Sequence, residues 1–361
     1  MRWCDVLVAG GGPAGCAVAA ATARAGLATL LLDQWRQPRR WSGESLPPGM
    51  DAPVIAAFGA GILSEEVHVR ATGSRSAWGS DDLVETDFLR NPLGDGWLLD
   101  RARFDDSART AAVGAGASVI AIRRLGKVER ARAGWRVEVE GDAVAARFLV
   151  DATGRAAALL RRLGIRRVAA DMQIAHVAVF ADDGDGWRGT SVEAAAESWW
   201  YSTPLPGGRR VLAWLTDSDL WQKGAGDWSD ALGATRHMKR IAGPGARAAR
   251  PAAFPADMAA AEQIAGDGWL AVGEAAVSFD PLSSQGLASA VLMGTRAGEA
   301  IAGPDREAEI AAWIEDYTML AAEHAGLRAH YARLEHRWPE SAFWRRRQSP
   351  SSIAWVSEAR T

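Results

Sequence analysis

The spacing of apolar and polar positions over the first 33 residues predicts one complete supersecondary unit. Cys4 to Ala9 is an apolar run of the length of a buried parallel strand. Gly10, Gly12 and Gly15 follow at GxGxxG spacing, with Pro13 and Ala14 between them. A small-residue helix comes next, and then a second apolar run that ends at Asp33. Each glycine has its own task. Gly10 permits the tight turn, Gly12 lets a pyrophosphate approach the backbone, and Gly15 lets the helix pack closely on the strand. The free N–H groups and dipole at the helix start hold phosphate charge. An acid at the end of the second strand accepts hydrogen bonds from both hydroxyls of an adenosine ribose and repels a 2′-phosphate, so Asp33 favours FAD or NAD over NADP.

Further on, the periodicity changes twice. A helical stretch from Ser107 leads into short strands at 118–124, 134–140 and 146–151, with Gly141-Asp142 as a hairpin turn. This predicts a small antiparallel insertion and a return to the parallel sheet. Residues 171–181, 190–205 and 209–217 alternate like strands of a separate antiparallel sheet that covers a pocket. The chain returns to the first unit at 268–273, and beyond Gly303-Pro304 it reads as mostly helical. The expected organisation is a discontinuous dinucleotide domain (1–75, 99–170 and 264–303), a substrate domain (76–98 and 171–263) and a C-terminal helical region (304–361).

Composition narrows the function classes. The chain has 361 residues and a net charge of −3, so no basic field points to nucleic acid. Two cysteines, Cys4 and Cys16, exclude a disulfide framework and fit a reducing cytoplasm. No apolar run approaches the roughly 20 residues of a membrane span, and neither a signal peptide nor an anchor is expected. No HExxH or CxxC spacing suggests a metal. Seventeen tryptophans stand against three tyrosines, which points to some of them as cavity walls.

Two later segments turn a generic dinucleotide site into a flavin site. Val150 to Arg155 (VDATGR) ends a strand at Asp151 and reaches Gly154, bringing backbone near the cofactor again. In VGEAAVSFDPLSSQGL, residues 272–287, a strand ends at Gly273-Glu274, a loop passes Asp280 and Pro281, and a helix starts after Gly286. A carboxylate at the strand end can hold a ribitol hydroxyl. The N–H groups after Ser284, Gln285 and Gly286 can stabilise negative charge on a reduced isoalloxazine.

On these segments, together with LDRARFD at 99–105, the chain resembles the FAD-dependent monooxygenases of the p-hydroxybenzoate hydroxylase fold over most of its length. The resemblance implies an α/β protein in which a Rossmann-like FAD-binding domain carries an inserted antiparallel β-sheet substrate domain and C-terminal helices. It also implies non-covalent FAD with Arg101 near the cofactor's phosphate or ribityl region, reduction by NAD(P)H or a partner flavin reductase, and O2 as co-substrate through a C4a-hydroperoxyflavin. Gly43-Glu44-Ser45 is similar to the GES segment of the flavin-dependent halogenase branch, and it adds Glu44 and Ser45 to the cofactor residues. Those halogenases hold a catalytic lysine in the segment after GES, whereas residues 46–126 here contain none, so halogenation is disfavoured.

SRSAWGS at 74–80, GWLLDRARFD at 96–105 and ESWWYSTPLPGGR at 197–209 are closer to a lysine-free branch, the LodB and GoxB-like flavoproteins. That branch is associated with tryptophylquinone maturation, which implies a protein-bound Trp in a quinoprotein precursor as substrate. An aromatic small molecule is the alternative substrate, and a non-catalytic FAD-binding chaperone is the alternative role.

Catalysis needs a positioned aromatic ring, exclusion of water and a base. Glu44, His68 and His176 are the candidate bases, and Trp78, Trp199 and Trp200 the candidate pocket walls. His237, His324, His330 and His336 fall in charged helical contexts and read as solvated, as does the arginine-rich run at 344–352.

Overall fold

The computed structural model describes residues 2–34, 44–222 and 227–348. Gly43, Lys223 and the serine-rich end of the tail, 349–361, lie outside the described residues.

The opening apolar run forms the strand Arg2–Ala9 at the centre of a parallel sheet. Thr29–Asp33 pairs on one side of it and Asp142–Asp151 on the other. Ser118–Ala121 extends the parallel order on one side and Trp269–Ala271 on the other, with Ala265–Gly266 antiparallel beyond the latter. Because both faces are covered, the strands are apolar without alternation. Leu7, Val8, Leu31, Leu32, Leu149 and Val150 are fully buried. Register brings the carboxyl ends together: Ala9 lies opposite Leu32 and Asp151, and Asp151 opposite Ala271. Ligands of open α/β sheets bind outside this edge, and the loops carrying Gly10, Gly154 and Gly273 all leave from it.

Three elements differ from the sequence reading. Leu125–Ala131 is an additional strand that pairs with Gly134–Val139, and the return strand starts at Asp142 rather than 146. The stretch 190–205 is two strands, Gly189–Ala195 and Ser198–Leu205, folded into a hairpin. The inserted sheet has seven strands and is antiparallel except for one pair. Gly73–Ala77, from the region before the insertion, runs parallel to Gly189–Ala195. That pair is set by close approach, since a Cβ on Gly189 would overlap the Gly73 carbonyl.

The C-terminal chain forms a 29-residue helix, Arg306–Leu334, and a short one, Ala342–Gln348. The described arginine run is only partly solvated, since Arg345 and Arg346 are exposed and Arg347 is not. Arg347 is buried and its Nη2 donates to Asp217 (2.6 Å), while Arg346 donates to both Asp217 and Asp219. The short helix is thereby pinned to the inserted sheet through acids some 130 residues away in sequence. Sequence-local charge cannot reveal such partners. No described helix is long and apolar enough to cross a membrane.

Candidate functional site

The glycine turn has the geometry its spacing predicts. Gly10 sits at φ +113°, which strongly favours glycine. A Cβ on Gly15 would overlap the Gly10 carbonyl, so the helix Pro13–Arg24 can press onto the turn only with glycine there. Gly12 is different, because a Cβ there would have no neighbour within 4 Å. The space before this helix is therefore open. The helix N-cap is Gly12 itself, with no side chain capping it, so the first-turn N–H groups face that space. A Cβ on Gly11 would lie 2.5 Å from the Asp33 carboxyl carbon, so Asp33 borders the same turn. Arg109 stands 3.6 Å from Asp33.

A second helix start faces the same edge. Ser284 adopts a left-handed conformation (φ +52°), and the chain then enters the helix Gly286–Ala302, which also has no side-chain cap. The approach to it is anchored. Asp280 accepts from the Leu282 N–H (3.0 Å), and Arg328 Nε donates to Asp280 (2.9 Å). Two uncapped helix starts and a strand-end carboxylate are the donor and acceptor set an FAD needs, for pyrophosphate, flavin pyrimidine and ribose respectively.

Other residues expected at the cofactor have protein partners. Asp151 is fully buried and accepts four hydrogen bonds, from Thr153 N and Oγ1 and from the N–H groups of Leu159 and Leu160. Burial pushes its pKa up and these donors oppose the shift. Its carboxylate fixes the loop around Gly154. Arg101 pairs with Asp105 at 3.0 Å. Glu274 pairs with Arg155 at 3.2 Å, and Arg155 also donates to Asp257.

Beside residues 282–285 lies a cavity of about 460 Å3. It is bounded by the strand Ser45–Leu46, by Ser76 and Trp78 of the inserted sheet, and by one face of the long helix. That face is the stripe His324, Leu327, Arg328, Tyr331 and Leu334, at helical spacing. Among the expected residues, Ser45, Ser284, Gln285 and Trp78 line the cavity. Pro281 and Gly286 flank that lining segment. Trp78 is held by its indole N–H, which donates to the Tyr331 carbonyl (2.8 Å).

Trp199 and Trp200 cannot share one cavity, because neighbours on a strand face opposite sides of a sheet. Trp199 packs edge-on to Trp78 behind the cavity wall, and Trp200 stacks on Trp214 across the sheet at 5.4 Å. His68 has both nitrogens engaged: Nδ1 accepts from Asp100 N–H (3.1 Å) and Nε2 meets the Ile62 carbonyl (3.1 Å). It supports the start of the Arg101–Gly114 helix. His176 is buried against Trp221 and Trp214, outside the cavity lining. Burial lowers the pKa of both histidines. Glu44 is buried just behind the cavity wall and accepts from the Tyr201 hydroxyl at 2.9 Å. Burial, with the Glu44 charge adding to it, holds the Tyr201 phenol well above its ordinary range. Replacing Tyr201 by Phe removes a donor from a buried carboxylate. The expected cost is about 1–3 kcal/mol, read as a lowered denaturation midpoint with FAD still bound.

Among the cavity residues that sequence reasoning missed are Arg75, His324 and Arg328. Arg75 is buried, donates to Ser191 (2.9 Å) and pairs with Asp185 at 2.7 Å. Arg328 bridges Asp280 and Asp171. His324, read as solvated, is 4% exposed. Among the described residues, no group of acids, histidines and cysteines forms a metal site.

The family described as FAD dependent oxidoreductase matches residues 5–178. That match spans the glycine turn, Asp33 and Asp151. LodB of Marinomonas mediterranea, named as an FAD-dependent oxidoreductase, is 28% identical over 98% of this chain and 99% of its own length. The myxobacterial chondrochloren halogenase CndH superposes with a TM-score of 0.84 at 21% identity, covering 99% of this chain and 89% of that one. QhpG, a peptidyl tryptophan dihydroxylase essential for tryptophylquinone cofactor biogenesis, superposes with a TM-score of 0.71 at 21% identity, covering 96% and 79%. The inserted-sheet Rossmann architecture is thus shared with both halogenases and hydroxylases.

Proposed function

We propose that this flavoprotein is an FAD-dependent monooxygenase that hydroxylates an aromatic ring, with a tryptophan side chain in a quinoprotein precursor as its substrate class. The observation that carries this reading is the cavity beside residues 282–285. It is partly apolar, walled by Trp78, Phe88 and Tyr331, and its cations are locked. Arg75 is tied to Asp185 and Arg328 to Asp171 and Asp280. No described lysine lines it. A halogenating site needs a free cation to capture and deliver hypohalous acid, and an ion-paired guanidinium is a poor substitute. The near end-to-end likeness to LodB supports the same branch. QhpG's description supplies the chemistry that branch would perform.

Bound FAD, reduced by NAD(P)H or a partner flavin reductase, would supply activated oxygen from O2 at the cavity's edge. The chain's own residues would do the rest. The N–H groups at Gly12–Gly15 hold the pyrophosphate and Asp33 the adenosine ribose. The helix start at Gly286 stabilises negative charge on the reduced ring system. Arg328 and Asp280 fix the segment that separates this helix start from the cavity. Trp78 offers its ring edge to an aromatic substrate, and the enclosing sheet and helix limit water.

The test uses FAD-loaded protein, a generic flavin reductase, NADH, 100 mM bromide and tryptophan-containing peptides, with products read by mass spectrometry. Products heavier by oxygen and free of bromine are expected. Brominated peptide would overturn the reading in favour of halogenation, and unaltered peptide throughout would remove the protein-bound substrate.

A further inference from the structure

His324 is the one histidine that lines the cavity. Its ring stacks on Phe279 with centroids 4.1 Å apart and planes 28° from parallel. Nδ1 is buried with no hydrogen-bond partner, and no described residue bonds Nε2. One turn on, Arg328 is ion-paired to Asp171 and Asp280, and Trp78, also in the cavity lining, is committed to the Tyr331 carbonyl. Buried polar groups are almost always paired; Nδ1 is sealed from solvent, so Nε2, which has no described partner, is the nitrogen that a ligand in the cavity can meet. The residue is 4% exposed and its ring is held by its stacking on Phe279. A neutral imidazole offers one acceptor and one donor in its plane. Burial lowers its pKa, with Glu323 opposing, which keeps it neutral at ordinary pH.

We propose that His324 is the hydrogen-bond acceptor for the ring N–H or hydroxyl of the aromatic substrate, and so selects indoles and phenols over aromatic rings that lack such a donor. This rests on the aromatic-substrate reading above and deepens it. The recognition is of the kind that discriminates strongly, since a ring without the donor leaves a buried polar group unpaired. The same contact draws electron density into the ring that is to be oxygenated, because partial removal of the N–H or O–H proton makes the ring carbons more nucleophilic. His324 then serves both positioning and activation.

The experiment is a binding measurement, independent of turnover. FAD-loaded protein is titrated with indole, 1-methylindole, phenol and anisole, and binding is read from the perturbed flavin absorbance. The wild-type protein is expected to bind indole and phenol about tenfold more tightly than their methylated counterparts. His324→Phe, with FAD content intact, is expected to bring both ratios to about one, and His324→Gln, which keeps an acceptor, to retain part of the preference. An unchanged ratio in His324→Phe overturns the proposal, as does a wild-type protein that binds none of the four probes or does not discriminate. If His324→Phe fails to hold FAD, a reduced ratio in His324→Gln supports the proposal and an unchanged ratio sinks it. A correct ratio with no oxygenated product would instead sink the monooxygenase reading alone.

Discussion

Replacing Gly12 by Asp is expected to abolish measurable FAD binding while leaving the apo-protein as stable as before, or slightly more so. The two effects separate because of what Gly12 faces. Its φ is −79°, which any residue adopts, and a Cβ there meets nothing within 4 Å, so the fold accepts a side chain. Gly12 is also the N-cap of the Pro13–Arg24 helix, where Asp is among the preferred residues and differs from Gly by only a few tenths of a kcal/mol, in the favourable direction. The same carboxylate, however, satisfies the N–H groups that the pyrophosphate would use and adds repulsion between like charges. A loss of at least 100-fold in FAD affinity is expected, equivalent to about 3 kcal/mol. Thermal denaturation of the apo-protein and FAD titration by fluorescence quenching check the two halves separately. Gly15→Val should behave differently, losing both stability and FAD, because its side chain would collide with the Gly10 carbonyl.

The second large effect is expected for Arg328→Ala. Arg328 is 6% exposed and its guanidinium bridges Asp171 (2.5 Å) and Asp280 (2.9 Å), both largely buried. Removing it leaves two buried carboxylates without that counter-charge, a change that typically costs about 3–5 kcal/mol. The loss should depend on pH. Burial already raises the Asp171 pKa, and the nearby Arg328 and Arg347 charges oppose that rise. Without Arg328 the folded-state pKa moves further above that of the unfolded chain. The native state then binds a proton more tightly than the unfolded state does, so stability falls as pH climbs through that interval. The deficit against wild type is therefore expected to be largest near neutrality and to shrink as pH approaches the ordinary carboxylate range. Urea midpoints at pH 7 and pH 5 check this. FAD affinity should fall as well, since Asp280 anchors the turn that leads to Ser284 and the Gly286–Ala302 helix.

The glycine turn, Asp33 and the helix start after Gly286 were legible because each depends on residues close in sequence, and the parallel sheet because each of its main strands is itself an apolar run. A turn that needs positive φ, or a helix pressed onto a strand, leaves its mark at fixed offsets. The long C-terminal helix was legible as a helix but not as a cavity wall. Its buried stripe includes His324 and Arg328, so hydrophobic periodicity does not mark the inward face. The acids that make Arg328 tolerable there, Asp171 and Asp280, lie 157 and 48 residues away.

Within the arginine run, the burial of Arg347 was hidden for the same reason, with Asp217 as its partner. The unbroken reading of 190–205 failed because Glu197 does not sit mid-strand. It sits in the hairpin turn, where its carboxylate accepts from Ser341 and the Phe343 N–H. Trp199 and Trp200 illustrate a rule that was available from sequence alone. Adjacent strand residues point to opposite faces, so a pair of neighbouring tryptophans contributes at most one to any single wall.

The central claim is that this flavoprotein transfers an oxygen atom from O2 to an aromatic ring, and isotope labelling in a single turnover tests it most directly. FAD-loaded protein is reduced with dithionite in the absence of air, freed of excess reductant, and mixed with 18O2 in the presence of indole or a tryptophan-containing peptide. The account predicts a hydroxylated product carrying one 18O atom per flavin reoxidised. Stoichiometric hydrogen peroxide with no labelled product from either substrate would contradict it.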